Sequence, residues 1–355
     1  MLEVGIAAAG HFLPARPSSR ESGVPVLLPV FVDLRKEIKL KVKVVKKQVE
    51  ALDIYRYELA PVDGEMLPGF SAGAHIDVHV KPGLVRQYSL CNHPDEVHRY
   101  VICVLRDPNS RGGSIAMQEL VKEGDTLTIS EPKNHFPLER GARRTLLIAG
   151  GIGVTPLLCM AERLSRLNAD FAMHYCARSA ERMAFRSYIA DQEFAERVSF
   201  YFSVGAETAT FDVASVIAGA SPDTHLYVCG PAGFMDWVIQ SAREAGWPEE
   251  RIHREYFGAT ASGGGENGSF DVKLASSGKV VSVGADESVV QALARHGVEV
   301  EMSCEQGVCG TCITRILEGE PDHRDLFLTD AEHALNDQFT PCCSRAKSKV
   351  LVLDI

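Results

Sequence analysis

No apolar run in the sequence is long enough to cross a bilayer. The longest near the start, 24–32, is broken by Pro29 and has no basic segment ahead of it, so neither a spanning helix nor a signal peptide is expected. Basic charge is also in deficit. A net charge of -10 excludes the basic stripe that a nucleic-acid surface needs, and the one Lys-rich run, 36–47, reads as the solvated edge of a strand. Ten cysteines without an export signal exclude a disulfide framework and point to a reducing, cytoplasmic setting, where thiols serve as metal ligands or core fillers. Hydrophobic content of 45% and charged content of 24% rule out a disordered chain. At 355 residues the chain is too long for one ordinary core and suits two or three domains.

Among the cysteines, Cys304, Cys309 and Cys312 are spaced C-x4-C-x2-C, and Cys342 follows after a long gap with Pro341 before it. This is the ligand spacing of a plant-type [2Fe–2S] centre, in which four thiolates complete the tetrahedral sulfur environment of two irons. One loop supplies three of them only if its backbone curls, and Gly307 and Gly310 permit that curl. A structural zinc site is the alternative, although zinc sites usually come as two short C-x2-C knuckles. Cys343 competes with Cys342 as the fourth ligand. The other six thiols, Cys91, Cys103, Cys159, Cys176, Cys229 and Cys343, lack metal spacing and read mostly as buried hydrophobes. Around the loop, strands are expected at 270–274, 279–283 and 350–353, with a helix from 287 capped by Asp286. That order is a β-grasp ferredoxin, beginning after a Gly-rich linker at 259–268.

The G-x-G-x-x-G dinucleotide fingerprint is missing. Instead an apolar run at 144–149 leads into Gly150-Gly151-Ile152-Gly153-Val154-Thr155-Pro156, a strand, a glycine turn and a helix start, with Thr155 expected to cap the helix and Pro156 to occupy its first position. Such a turn either attracts a pyrophosphate or is a plain connection. A second strand, 226–228, opens through Cys229-Gly230-Pro231 onto a helix near 232–243. Two such turns at the carboxyl ends of neighbouring parallel strands face one crevice. Cys229 is either a core thiol or a neighbour of a nicotinamide ring.

Upstream, strand-like runs at 40–45, 55–59, 75–80, 100–105 and 126–129 suggest an antiparallel barrel. Arg86, Tyr88 and Leu90 alternate on one strand face with Ser89 on the other, offering a cation to a phosphate and a flat ring to a flavin, unless this is an ordinary strand. Gly112, Gly113 and Ser114, ahead of a helix at 115–121, offer backbone donors for one phosphate or simply cap the helix.

These motifs together resemble the phthalate dioxygenase reductase family, to which vanillate demethylase reductases belong, over residues 38–355. The resemblance implies a multidomain α+β protein: an antiparallel flavin-binding β-barrel at 38–140, an α/β nucleotide-binding domain of ferredoxin-reductase type at 141–258, the linker, and the β-grasp [2Fe–2S] ferredoxin domain at 269–355. It assigns no role to 1–37. It implies FMN, with Arg86, Gln87, Tyr88 and Ser89 at the flavin, Arg111, Gly112, Gly113 and Ser114 at its phosphate, and Asn134 and Phe136 lining its pocket. Gly150, Gly151, Gly153, Thr155, Pro156, Gly230 and Pro231 then hold the nucleotide, and Ser89, Cys229 and Phe257 form the expected catalytic set. Cys304, Cys309, Cys312 and Cys342 hold the cluster.

The implied activity is oxidation of NADH by the flavin, with electrons passed singly to a separate Rieske-type oxygenase by a monomer. Hydride transfer needs no side-chain acid or base, so orientation carries the catalysis. NADH is favoured over NADPH, although Arg178 after the second nucleotide-domain strand is placed to meet a 2′-phosphate. The alternatives are the reductase portion of a cytochrome P450 system, although nothing in the chain resembles a haem domain, and a non-enzymatic iron–sulfur redox sensor.

Overall fold

The computed structural model describes residues 38–108, 112–205, 209–258 and 267–355. The described chain builds three layered bodies.

The first is a six-stranded antiparallel sheet ordered Leu84–Ser89, His75–Lys81, Thr126–Ser130, Lys39–Ala51, Ile54–Pro61 and Tyr100–Leu105. It closes on itself, because Leu90, just past the first of these strands, bridges Ile102 on the last. Closure removes the free edges. Lysines 39, 41 and 43 are exposed while Val42 and Val44 are buried. The Lys-rich strand therefore lies inside the sheet with one solvated face, which corrects the expectation of an edge: period-two alternation fixes the face, not the position. Lys47 folds over the barrel mouth, and its ammonium donates to Gln118 O (2.5 Å) and Val121 O (2.7 Å) at the C-terminus of the helix Gly113–Leu120. A cation there satisfies carbonyls that the helix leaves unpaired.

The second body is a five-stranded parallel sheet ordered Ile252–Glu255, Thr224–Cys229, Arg144–Gly150, Asp170–Ala177 and Val198–Phe202. Helix Val154–Arg166 covers one face and Ala232–Glu244 the other. The face under Val154–Arg166 has no core of its own. Leu157, Met160 and Tyr175 pack in the same cluster as Ala51, Ile54, Cys91 and Val101 of the barrel. A shared apolar core fixes the two bodies together.

Thr155 does not cap this helix. The turn Gly151–Gly153 already winds the chain, so the helix starts at Val154, and the Thr155 hydroxyl bonds Ile152 O at 3.0 Å from within the first turn. Pro156 is third rather than first, still among the positions whose N–H has no helical partner.

The third body is the mixed sheet Val280–Val283, Phe270–Leu274, Val350–Leu353, Thr314–Glu318 and Gln338–Phe339, with helix Val289–Arg295 packed on it and a separate core. Here too the cap differs from expectation. Ser288, not Asp286, caps the helix, because only Ser288 can form the reciprocal box with Gln291. Arg345 is buried in this body and donates to Glu287 O (2.8 Å), Gly268 O (2.9 Å) and Gly284 O (2.9 Å) while lying over the Phe270 ring. Replacing it with alanine orphans three carbonyls at once. Arg345→Ala is expected to destabilise this body by about 3 kcal/mol, read as a lower urea midpoint for loss of the visible absorption that the cysteine loop confers when loaded.

Candidate functional site

In the cysteine loop, Cys304, Cys309 and Cys312 are buried and Cys342 is partly buried. Gly307 and Gly310 take left-handed conformations, φ 68° and 70°. A side chain at either would also collide, at Gly307 with Cys343 Sγ and at Gly310 with the Phe327 ring, each 2.4 Å from an added Cβ. The curl therefore needs glycine for two reasons. The Cys342 thiol meets those of Cys304 and Cys312, whereas the Cys343 thiol is set against Cys342, Thr340 and Ser344. The Gln306 amide donates to Cys304 Sγ at 3.3 Å. Four convergent thiols, with backbone donors aimed at sulfur, fit a [2Fe–2S] cluster.

The loop faces a cavity of about 300 Å³ to which all three bodies contribute: Arg86, Gln87 and Ser89 from the barrel, Phe257 from the end of the parallel sheet, and Cys304 and Phe327 from the third body. Arg86 packs so closely on Gly113 that an added Cβ would lie 2.4 Å from its Nε, which places the cation against the glycine turn. Gly112 begins the helix there at φ 87° with no side-chain cap, and Ser114 Oγ accepts from the Asp107 amide at 3.2 Å. Arg111 lies outside the described residues. Tyr88 turns into the barrel core.

Of the segment 134–136, His135 lines the cavity, whereas its two neighbours, expected there, do not. Asn134 spends its side chain on Ser71 and Ala72 and lines a separate groove, and Phe136 is buried in the shared core beside Tyr227.

Two acids that the sequence reading did not single out organise this junction. Glu255 Oε2 accepts from Ser89 Oγ at 3.3 Å, and burial pushes its carboxyl up to about 8, the hydroxyl opposing. Asp77 is buried and is bonded by Lys133 (2.8 Å), Gln87 (2.9 Å) and the Ser303 hydroxyl. Burial opposes its ionisation, yet these donors hold its carboxyl below the usual range. Burial likewise pulls the nearby His75 imidazole down to about 4, Asp77 opposing. Polar residues at 75, 77 and 79, alternating with Ile76, Val78 and Val80, were the available signal.

A second cavity, about 900 Å³, opens at the carboxyl ends of the parallel strands, where Gly150, Gly151, Arg178 and Pro231 line it with Phe234 and Trp237. The two turns touch: an added Cβ on Gly153 would lie 2.2 Å from Cys229 O, and one on Gly230 3.0 Å from Gly150 Cα. Gly153, Thr155, Pro156 and Cys229 are buried behind that contact, the Cys229 thiol raised by burial, so they shape the crevice from below. Among the described residues no helix is long and apolar enough to cross a membrane.

Residues 272–347 match the 2Fe-2S iron-sulfur cluster binding domain, and residues 130–252 the N-terminal domain of dimethylamine monooxygenase subunit DmmA-like proteins. The chain is 57% identical over 313 residues to a vanillate O-demethylase oxidoreductase of Pseudomonas putida, covering 88% of this chain and 98% of that one. The solved structure of phthalate dioxygenase reductase, described as modular for electron transfer from pyridine nucleotides to [2Fe-2S], superposes with a TM-score of 0.73 at 41% identity, covering 89% of this chain and 98% of that one. An intact type IV self-sufficient cytochrome P450 monooxygenase superposes with a TM-score of 0.75 at 37% identity, but the match spans 41% of that chain. With a closed barrel, a parallel nucleotide sheet and a four-thiol β-grasp body in this order, the chain belongs to the phthalate dioxygenase reductase family of NADH-dependent flavin and iron–sulfur electron-transfer oxidoreductases.

Proposed function

We propose that this reductase binds FMN, works as a monomer in the cytoplasm and delivers electrons to a separate Rieske-type oxygenase. The observation that carries the reading is the junction cavity, where Arg86 and Ser89, Phe257 and Cys304 meet. The guanidinium of Arg86 and the backbone donors of Gly112, Gly113 and Ser114 form a niche for a single phosphate, which favours FMN. When bound, the nicotinamide, flavin and cluster supply the conversion of a hydride into single electrons.

The chain's own residues position and insulate. Ser89 and Gln87 offer hydrogen bonds at one cavity wall, and Phe257, 42% exposed, covers another. Gly150, Gly151 and Pro231 admit the dinucleotide backbone to the parallel-strand crevice, and Arg178 on its rim approaches the ribose. Cys229 supports that crevice from beneath. Four of the ten cysteines converge as a ligand set, a use of thiols that supports a reducing compartment.

Purified protein is expected to release FMN on denaturation, to contain two irons and two labile sulfides per chain, and to support NADH-driven turnover of a Rieske oxygenase but not of a P450. Release of FAD, or faster coupling to the P450, would refute the proposal.

Glu255 sets a pH dependence. Its folded pKa is raised, so below about 8 it keeps its proton and the Ser89 wall is neutral, and above that a negative charge appears beside the cavity. NADH-dependent ferricyanide reduction is expected to fall as pH rises through about 8, and Glu255→Gln to flatten that alkaline limb; an unchanged limb counts against the assignment.

The neighbouring thiols give the last expectation. Cys342→Ser should abolish or strongly perturb the cluster's electron paramagnetic resonance signal, whereas Cys343→Ser should leave iron content and signal intact. The opposite pattern would make Cys343 the ligand.

A further inference from the structure

Behind the cysteine loop lies a group of side chains that electron transfer does not use. His323, Asp325 and His333 offer three ligand atoms within 4.8 Å of one another. His333 Nε2 is 3.2 Å and His323 Nδ1 3.8 Å from Asp325 Oδ1, and the two rings stack with centroids 4.2 Å apart. A carboxylate paired with one imidazole is ordinary. The second imidazole is not. The His323 side chain is only 10% exposed, and its polar neighbours, the Asn336 side chain, the His333 backbone and the Asp325 carboxylate, give neither buried ring nitrogen a hydrogen bond of good geometry.

A neutral imidazole needs a donor partner at one nitrogen and an acceptor partner at the other. Leaving buried polar atoms unmet is costly, and a native orphan of this kind points to a missing water or ion. The carboxylate is already oriented for one. Its Oδ2 accepts from the amides of Phe327 (3.2 Å) and Leu328 (2.8 Å), and Ser344 Oγ lies 3.4 Å from Oδ1. Ligating carboxylates are typically held in this way by hydrogen bonds.

We propose that His323, Asp325 and His333 bind a divalent first-row transition cation of the zinc or ferrous class, at a site separate from the four thiols. Two imidazoles and one carboxylate suit such an ion, whereas magnesium and calcium prefer all-oxygen sets. The ion's role follows from the intervening segment. Residues Leu326 to Thr329 form one wall of the junction cavity, and the Leu326 amide donates to Gly307 O at 2.9 Å inside the cysteine loop. A cation bound by residues at both ends of this segment would hold the cavity wall and the loop in one arrangement.

The test uses cluster- and flavin-loaded protein stripped with EDTA and titrated calorimetrically with ZnCl2 and, separately, MgCl2. One zinc per chain is expected, with no magnesium binding, and His323→Gln and His333→Ala should each weaken zinc by roughly tenfold or more. Zinc should raise the thermal midpoint of the wild type and not of the variants, whose unchanged visible circular dichroism would report an intact cluster loop. Should the variants lose the cluster, zinc-edge absorption on the wild type decides: nitrogen and oxygen scatterers support the site, and sulfur scatterers overturn it. Equal zinc affinity in wild type and folded variants, or no zinc uptake by the wild type, also overturns it.

Discussion

The carboxylate of Asp77 ties the iron–sulfur loop to the barrel. It is buried, and its donors come from two different bodies: Gln87 and Lys133 from the barrel, and Ser303, the residue before the first cluster cysteine. A buried carboxylate without donors would be strongly unfavourable, and the docked cysteine loop adds the Ser303 hydroxyl to the two donors that the barrel supplies. Arg86 acts alongside it, packing on Gly113 and pairing with Glu305 at 3.6 Å. The residues expected at the flavin phosphate and those expected at the cluster are thus joined by one cation, and the cavity between them follows from that geometry.

The other junction has a different character. Barrel and parallel sheet share one apolar core, in which Cys91, Cys103 and Cys159 serve as small hydrophobes with Phe136 and Tyr227. Apolar burial holds the nucleotide crevice in place without specifying any single contact. The two glycine turns then approach until backbone meets backbone, at Gly153 against Cys229 and Gly150 against Gly230. Such proximity is available only where no Cβ intervenes.

This division explains what could be read in advance. The barrel strands, the parallel order and the β-grasp were legible because period-two alternation and turn residues are local signals. The cysteine spacing was legible because the loop carries its own curl in Gly307 and Gly310. Helix starts were less so: Thr155 and Asp286 are good caps in isolation, but a preceding turn and the Ser288–Gln291 box set the boundaries. Asp77 was missed, and Glu255 and His135 carried no role of their own within their motifs, because each gains meaning from a residue distant in sequence, Ser303, Ser89 and Phe327 respectively. Asn134 and Phe136, expected at the flavin pocket from the resemblance, lie respectively in a separate groove and in the shared core.

The contrast between the junctions bears on how a reductase serves a partner on another polypeptide. The third body keeps a core that it shares with neither neighbour. Its contacts to the barrel are chiefly polar, Asp77 with Ser303 and Arg86 with Glu305, supplemented by His135 edge-on to Phe327. Water can replace polar partners at modest cost on separation, whereas it cannot replace a shared apolar core. The fold therefore concentrates permanence between the barrel and the nucleotide sheet, where geometry must be fixed for a hydride to move. The polar, more easily hydrated junction lies instead beside the four thiols.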